Sequence, residues 1–437
     1  MENKNVKVVL VYVISLLVCM ISCYSNLELL EKQQSGQKKY EGHKVVRVFP
    51  KTKQDIDLIK SLEEDPNIEV DFWSRTRNID IHVTPEDYFK LEGYFQNWKI
   101  KSHILNDNLQ KSFDEEEKGY YRHNEEWHSN YHNFDEIMQK MNSLHEFGRT
   151  TIVNIGNSYE GKEIRGLQIS NGKGNNDKQK IVVICGLHAR EWISHATCMY
   201  IMENMVMQYG KNFNITKMVD RFDWVIFPVM NPDGYIYSWK KDRLWRKNRQ
   251  PNPNSLCNGT DLNRNWDYEF GGSGSSKNPC SELYHGKAPF SSPEVNAIAS
   301  YTKRFKEKIF CFLDIHSYSQ LLMYPWSYSK DAEAKDKIEL HNVAVKAVKA
   351  LTSYYGTDFE TGPGAVVIYE ASGCSKDWAY GSMGIKYSYV FELRDTGKHG
   401  FLLPKKYIVP TAEETLAAFH SIAINMNDYE NKITEAI

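Results

Sequence analysis

The chain has 437 residues, 41% of them hydrophobic and 25% charged, with 54 basic side chains against 56 acidic ones. That length exceeds what a single core usually absorbs, so a main domain and a smaller unit are expected. The balanced charge and the absence of a large basic cluster exclude a nucleic-acid-binding protein, because nothing in the composition attracts phosphate.

At the N-terminus, Lys4 and Lys7 precede an apolar stretch from Val8 to Ile21, and small or polar residues follow. The stretch is shorter than the roughly 20 residues that a membrane span needs. Its basic–apolar–polar order is that of a secretory signal, assigned to residues 1–25. An uncleaved anchor is the alternative. No later run is apolar and long enough to span a bilayer, so the expected protein is secreted, extracellular and free of membrane once the signal is cut. The sequons at Asn214 (NIT) and Asn258 (NGT) are glycosylation candidates that suit this route.

Residues 41–105 alternate strand-like runs (Lys44 to Phe49, Val70 to Trp73, Asn78 to Val83, Lys99 to Ile104) with helical ones (Gln54 to Glu64, Pro85 to Phe95). This is the pattern of a small α+β unit. The acidic, helix-prone "NLQKSFDEEEKG" follows, and then "YYRHNEEW", with basic positions at Lys118 and Arg122. A trypsin-like protease acting at either would separate the small unit from the remainder.

From about residue 130, long apolar strands alternate with amphipathic helices, which predicts an α/β sheet with helices on both faces. Four strands end in polar residues: "KIVVICGLHAREW" in His188, Arg190 and Glu191; "WVIFPVMNPDG" in Asn231 and Asp233; "FCFLDIHSYS" in Asp314 and His316; "YVFELRDTG" in Glu392, Arg394 and Asp395. In open α/β sheets ligands bind outside the carboxyl ends of the strands, so these groups are expected to converge. Arg394 and Asp395 are expected to be supporting ion-pair residues.

Of the eight cysteines, Cys19 and Cys23 lie in or beside the signal. Cys257 and Cys280 bracket a loop rich in Asn, Gly, Ser and Pro and are expected to form a disulfide, since closing a long loop in an oxidising compartment gains most from a cross-link. Cys185 and Cys311, inside apolar runs, are expected to be reduced core residues. Spacing does not decide the state of Cys198 and Cys374.

His188 and Glu191, three positions apart, fall on one face of a turn and can share a cation. The spacing alone is weak: His123 and Glu126 repeat it in a charged linker, where no role is assigned. What distinguishes the first pair is its place after "IVVICG", together with His316 at another strand end. Two histidines and one carboxylate leave a fourth position open, which is a catalytic zinc arrangement with one Zn²⁺ per chain. Asp261 in "GTDLNRNW" is a candidate to accept the second ring proton of a ligating histidine.

The motifs "GLHAREW", "NPDGY", "RLWRKNR", "DLNRNW", "DIHSYSQLL", "IYEASG" and "FELRDTGKHGFLLP" resemble, in order and spacing, the zinc metallocarboxypeptidases of the pancreatic carboxypeptidase A/B type over about residues 128 to 430. "VVRVFPKT" and "DFWSRTRNIDIHVTPEDY" resemble that family's activation prodomain. The resemblance implies a mixed eight-stranded α/β/α catalytic domain over residues 119–437, a prodomain over 26–118 that covers the cleft, and removal of C-terminal amino acids from peptides. It also implies His188, Glu191 and His316 as zinc ligands, Glu392 as general base and proton shuttle, and Arg246 as stabiliser of the oxyanion. Asn263, Arg264 and Tyr369 would hold the substrate's free carboxylate, while Arg190, Tyr318 and Phe401 would line outer subsites.

The segment "ASGCSKDW" corresponds to the floor of the pocket for the departing side chain. Lys376 stands there where A-type enzymes have an apolar residue and B-type enzymes an Asp. Together with the small Gly364 and Ser327 on the wall, an ammonium implies a preference for C-terminal glutamate, then aspartate. The competing readings are an A-like pocket with Lys376 turned away, a carboxypeptidase-like binding protein without catalysis, and an endopeptidase or amidase on the same metal. The intact Glu392 and zinc ligands speak against the second, and the Asn263, Arg264 and Tyr369 set against the third.

Overall fold

The computed structural model describes residues 36–117, 126–173 and 178–427. The expected signal, Lys118, Arg122 and His123 lie outside the described residues.

The first unit is a four-stranded antiparallel sheet, β1 (Lys44–Phe49), β2 (Val70–Arg75), β3 (Ile79–Val83) and β4 (Lys101–Asn106), in the order β2-β3-β1-β4. Its helices Lys53–Ser61 and Pro85–Trp98 start where Thr52 and Thr84 accept the amide protons of Asp55 and Asp87, and Pro85 suits the first turn because it has no amide to leave unpaired. Strand alternation then sorts the side chains. Val46 and Val48 face Ile59, Leu91 and Phe95 under the helices. Val45, and Trp73 on β2, face the other way, into a cluster with Leu109, Phe113, Leu244, Tyr318, Phe401 and Leu402. This second cluster spans both units, so the sheet's open face is covered by the larger domain.

That domain carries β5 (Thr150–Asn157), β6 (Glu163–Ile169), β7 (Lys180–Cys185), β8 (Asp223–Phe227), β9 (Ile309–Ser317), β10 (Leu321–Tyr324), β11 (Glu360–Pro363) and β12 (Tyr387–Leu393). They form one mixed sheet, β11-β10-β12-β9-β7-β8-β6-β5, in agreement with the eight strands expected. β12, β9, β7 and β8 are mutually parallel, and their near-continuous apolar runs follow from burial on both faces. Ile181, Val183 and Cys185 join one helix-covered core, and Val182 and Ile184 the other. Each such buried side chain contributes about 1.5–3 kcal/mol. Phe312 faces the second core, and by the same period Asp314 and His316 continue that face at the strand's carboxyl end.

One cysteine expectation is corrected. Cys185 is not reduced but bonded to Cys198, with Cα atoms 6.6 Å apart. The helix Trp192–Gln208 returns across the core face of β7 and brings Cys198 opposite the strand end, a placement that no sequence spacing encodes. Cys257–Cys280 is formed as expected, and Cys311 and Cys374 are free and buried. Arg394 does pair with Glu414, at 2.7 Å, whereas Asp395 accepts the backbone amides of Gly397, His399 and Gly400 instead of forming an ion pair.

Just before β1, the half-buried His43 stacks on His82 with ring nitrogens 3.0 Å apart. Burial, with the nearby His82 and Lys38, lowers its pKa to about 4. A histidine held neutral in the fold supports stability fully above its unfolded pKa of about 6.5, and that support is lost as pH falls toward 4. Native zymogen should therefore lose melting temperature between those pH values relative to a His43→Asn variant. Parallel melting curves for the two proteins would rule the linkage out.

Candidate metal centre and active site

His188 and Glu191 sit on the turn after β7, and His316 at the end of β9. One ligand atom from each lies within 4.8 Å of the other two, and all three residues are buried. His188 Nδ1 is 2.7 Å from Glu191 Oε1, and His316 Nδ1 is 2.9 Å from Glu191 Oε2 and 3.0 Å from His188 Nδ1. Two ring nitrogens and a carboxylate thus converge on one point. The outward nitrogens are held by carboxylates: His188 Nε2 is 3.0 Å from Asp261 Oδ1, and His316 Nε2 is 3.0 Å from Asp314 Oδ2. A proton on each outward nitrogen leaves each inward lone pair free, which is the donor set that zinc requires.

Asp261, buried as the turn after the disulfide-bonded Cys257 folds back, also accepts from Arg246 Nη2 at 2.9 Å and from the Asn263 amide at 2.8 Å. Although burial opposes ionisation, Arg246 and His188 hold its carboxyl well below the usual range. Asp314 was expected at this end of the cleft, but its pairing with His316 was not. Its signal was available, since two residues before His316 on a strand is the same face.

Glu392 is in register with His316 across the β12–β9 pair and lines the same cleft. Burial raises its carboxyl to about 8, with Glu191 and Asp314 adding and His316 and Arg246 opposing. A cation on the triad would pull that value down.

The cleft has a volume of about 850 Å³ and brings together His188, Glu191, Arg246, Arg264, Tyr369, Lys376 and Glu392. Arg264 donates to the Tyr369 hydroxyl at 2.9 Å, to Gly274 O at 2.7 Å and to Asn263 O at 2.7 Å. Ser375 N donates to Asn263 Oδ1 at 2.9 Å, tying the Asp261 turn to the segment that carries Lys376. Lys376 is buried and points inward: Nζ donates to Ser327 Oγ at 2.7 Å and Asp377 Oδ1 at 2.9 Å. Gly364 allows this, because a Cβ there would lie 3.1 Å from Nζ and far too close to Ser327 Oγ.

Arg190, Tyr318 and Phe401 form the outer end, and all three are occupied by the N-terminal unit. Asp71 on β2 accepts from Arg190 Nη1 at 2.6 Å, Asp80 on β3 accepts from the Tyr318 hydroxyl at 2.8 Å, and Trp73 packs on Phe401 with ring centroids 5.0 Å apart. Arg243 forms a bidentate pair with Glu116 at 2.8 and 3.0 Å, fixing the helix that leads out of the unit. Asp71 and Asp80 carried no recognisable signal in the sequence. Asn214 is exposed and Asn258 half-exposed, both away from the cleft lining.

Because Asp314 orients His316, an Asp314→Asn variant should bind zinc about ten- to a hundredfold more weakly, measured by competition with a chelating dye. Unchanged affinity would show that the contact does not support the ligand.

Against known families, residues 134–418 match zinc carboxypeptidases and residues 46–116 match the carboxypeptidase activation peptide. Carboxypeptidase A2 of Mus musculus is 39% identical over 405 residues, covering 90% of this chain and 96% of the relative. Carboxypeptidase B of Bos taurus is 38% identical over 403 residues, covering 90% and 95%. Among solved structures, thrombin-activatable fibrinolysis inhibitor is similar with a TM-score of 0.80 at 33% identity, covering 88% of this chain and 98% of that one. Carboxypeptidase A from Helicoverpa armigera gives 0.81 at 26%, with the same coverage. With its zinc ligands assembled and an activation peptide seated on the cleft, the chain belongs to the zinc carboxypeptidases, made as the zymogen of a metallopeptidase that hydrolyses C-terminal peptide bonds.

Proposed function

We propose that the mature enzyme removes acidic residues from peptide C-termini, glutamate ahead of aspartate. The observation that carries this is the inward ammonium of Lys376. It has three donors, and Ser327 and Asp377 take two, leaving one for a substrate carboxylate. Asp377 spreads its charge over the Ser327 and Tyr328 amides as well, so it compensates Lys376 only in part. Glutamate reaches further than aspartate, and arginine or lysine would meet a like charge. The Asp377 pair also favours a second reading, in which the partly neutralised lysine tolerates apolar residues as in A-type enzymes.

The catalytic roles follow from the same geometry. Zinc, when bound, supplies a Lewis acid for the scissile carbonyl and for a water. Glu392 takes the proton of the attacking water and passes it to the leaving amine as the C–N bond breaks. Arg246, held by Asp261, faces the carbonyl oxygen as it gains charge. Arg264, Asn263 and Tyr369 hold the free carboxylate that an internal peptide bond lacks. His316 Nε2 lies between Asp314 Oδ2 at 3.0 Å and the Asn263 amide nitrogen at 3.2 Å. Arg190, Tyr318 and Phe401 line the acyl side once the activation peptide leaves.

We also infer secretion after removal of residues 1–25, glycosylation at Asn214 and Asn258, and trypsin-like cleavage either at Lys118, which separates 26–118 from 119–437, or just beyond it at Arg122.

After limited tryptic activation, peptides differing only in the last residue (Glu, Asp, Phe, Arg) give the specificity constants. Glu should lead Phe and Arg by about tenfold or more. Lys376→Met should shift the preference to Phe, and Lys376→Asp toward Arg. Native enzyme that favours Phe or Arg refutes the acidic pocket.

Glu392→Gln should keep one zinc per chain yet lose about 10²–10⁴-fold in kcat. Loss of metal in that variant would reassign the ligands.

A further inference from the structure

Beyond the pocket for the departing residue, the cleft lining includes a carboxylate of the larger domain that the reaction above leaves unused, Glu282. Glu282 stands two residues after Cys280 of the Cys257–Cys280 disulfide and lines the cleft. Its Oε2 is buried without a hydrogen-bond partner. Its charged surroundings include the cations Arg190, Lys247 and Arg246 and the anion Asp71. Each cation is committed elsewhere: Arg190 to both oxygens of Asp71 at 2.6 and 3.3 Å, Lys247 Nζ to Pro279 O at 2.7 Å, and Arg246 to Asp261 at 2.9 Å. Burial, with Asp71 adding, raises the Glu282 carboxyl above its usual value.

A buried carboxylate without a donor is costly, and the zymogen tolerates this one beside a like charge. Cleavage removes Asp71 and opens the cleft, so Glu282 becomes an ionised acceptor facing substrate. Its neighbour Arg190 belongs to the outer end, with Tyr318 and Phe401, on the side away from Lys376 and Arg264.

We propose that Glu282 is a specificity residue of the active enzyme: it receives a cationic group, a lysine or arginine side chain or a free α-ammonium, on the acyl side of the scissile bond. Its counterpart Arg190 disfavours cations there, so the two charges set opposed preferences along one wall.

The test uses the activated full enzyme and peptides sharing one C-terminal residue, whichever it removes fastest, so the outcome does not depend on the acidic pocket. The residue second from the scissile bond on the acyl side is Lys, Ala or Glu in N-acetylated peptides. A fourth peptide ends there in a free α-amine, which separates side-chain from terminal cations. The Lys-to-Glu ratio of kcat/KM should fall about tenfold in Glu282→Gln and be kept in part in Glu282→Asp. If only the free-amine peptide loses rate, the cation recognised is the terminus. A ratio unchanged in Glu282→Gln, with all peptides slowed alike, overturns the proposal and makes Glu282 a partner of Arg190. Should Glu282→Gln fail to fold, the Asp variant and the native enzyme decide: native rates equal for acetylated and free-amine peptides, with the Lys-to-Glu ratio equal in native and Asp enzymes, overturn it as well.

Discussion

The active site hangs on one buried carboxylate. Asp261 accepts from the outward nitrogen of His188 and the Asn263 amide on one oxygen and from Arg246 on the other. A zinc ligand, the Arg246 guanidinium and the turn through Asn263 are thereby set by a single group. A fully buried carboxylate is tolerable only when its acceptor capacity is used, and here it is. Asp261 itself lies in the loop closed by Cys257–Cys280, and its amide donates to Tyr284 O just beyond Cys280.

Latency uses the same physics in reverse. The cleft's outer end presents a guanidinium, a phenol and an aromatic ring that need partners, and the activation peptide supplies Asp71, Asp80 and Trp73. Asp80 is itself paired to Arg47, which reaches Thr396 O at 2.6 Å, so β1 and β3 brace each other against the larger domain. The interface is thus a set of charge pairs around a shared apolar cluster.

The two ends of the cleft carry different charge logic. At the inner end Lys376 is positive, buried and partly compensated by Asp377. At the outer end Arg190 and Glu282 oppose one another, with Glu282 lacking a donor. Between them lie the zinc triad and Glu392, whose carboxyl burial raises to about 8.

Much of this was legible in the sequence because it is local. Continuous apolar runs such as "KIVVIC" marked the strands, the polar residues at their carboxyl ends marked the cleft, and His188, Glu191 and Arg246 sit in contiguous motifs. The two helical runs of the small unit and the Cys257–Cys280 loop were readable for the same reason. What only the tertiary structure decided are contacts between segments far apart in the chain. Cys185 meets Cys198 because a helix folds back over β7. Asp71 meets Arg190 across 119 positions because two sheets dock. Lys376 turns inward because Ser327, 49 positions away, offers an oxygen and Gly364 offers no side chain. Side-chain chemistry is written residue by residue, but whether a buried charge has a partner is a property of the packed interior, and that is where pocket, latency and the idle oxygen of Glu282 were settled.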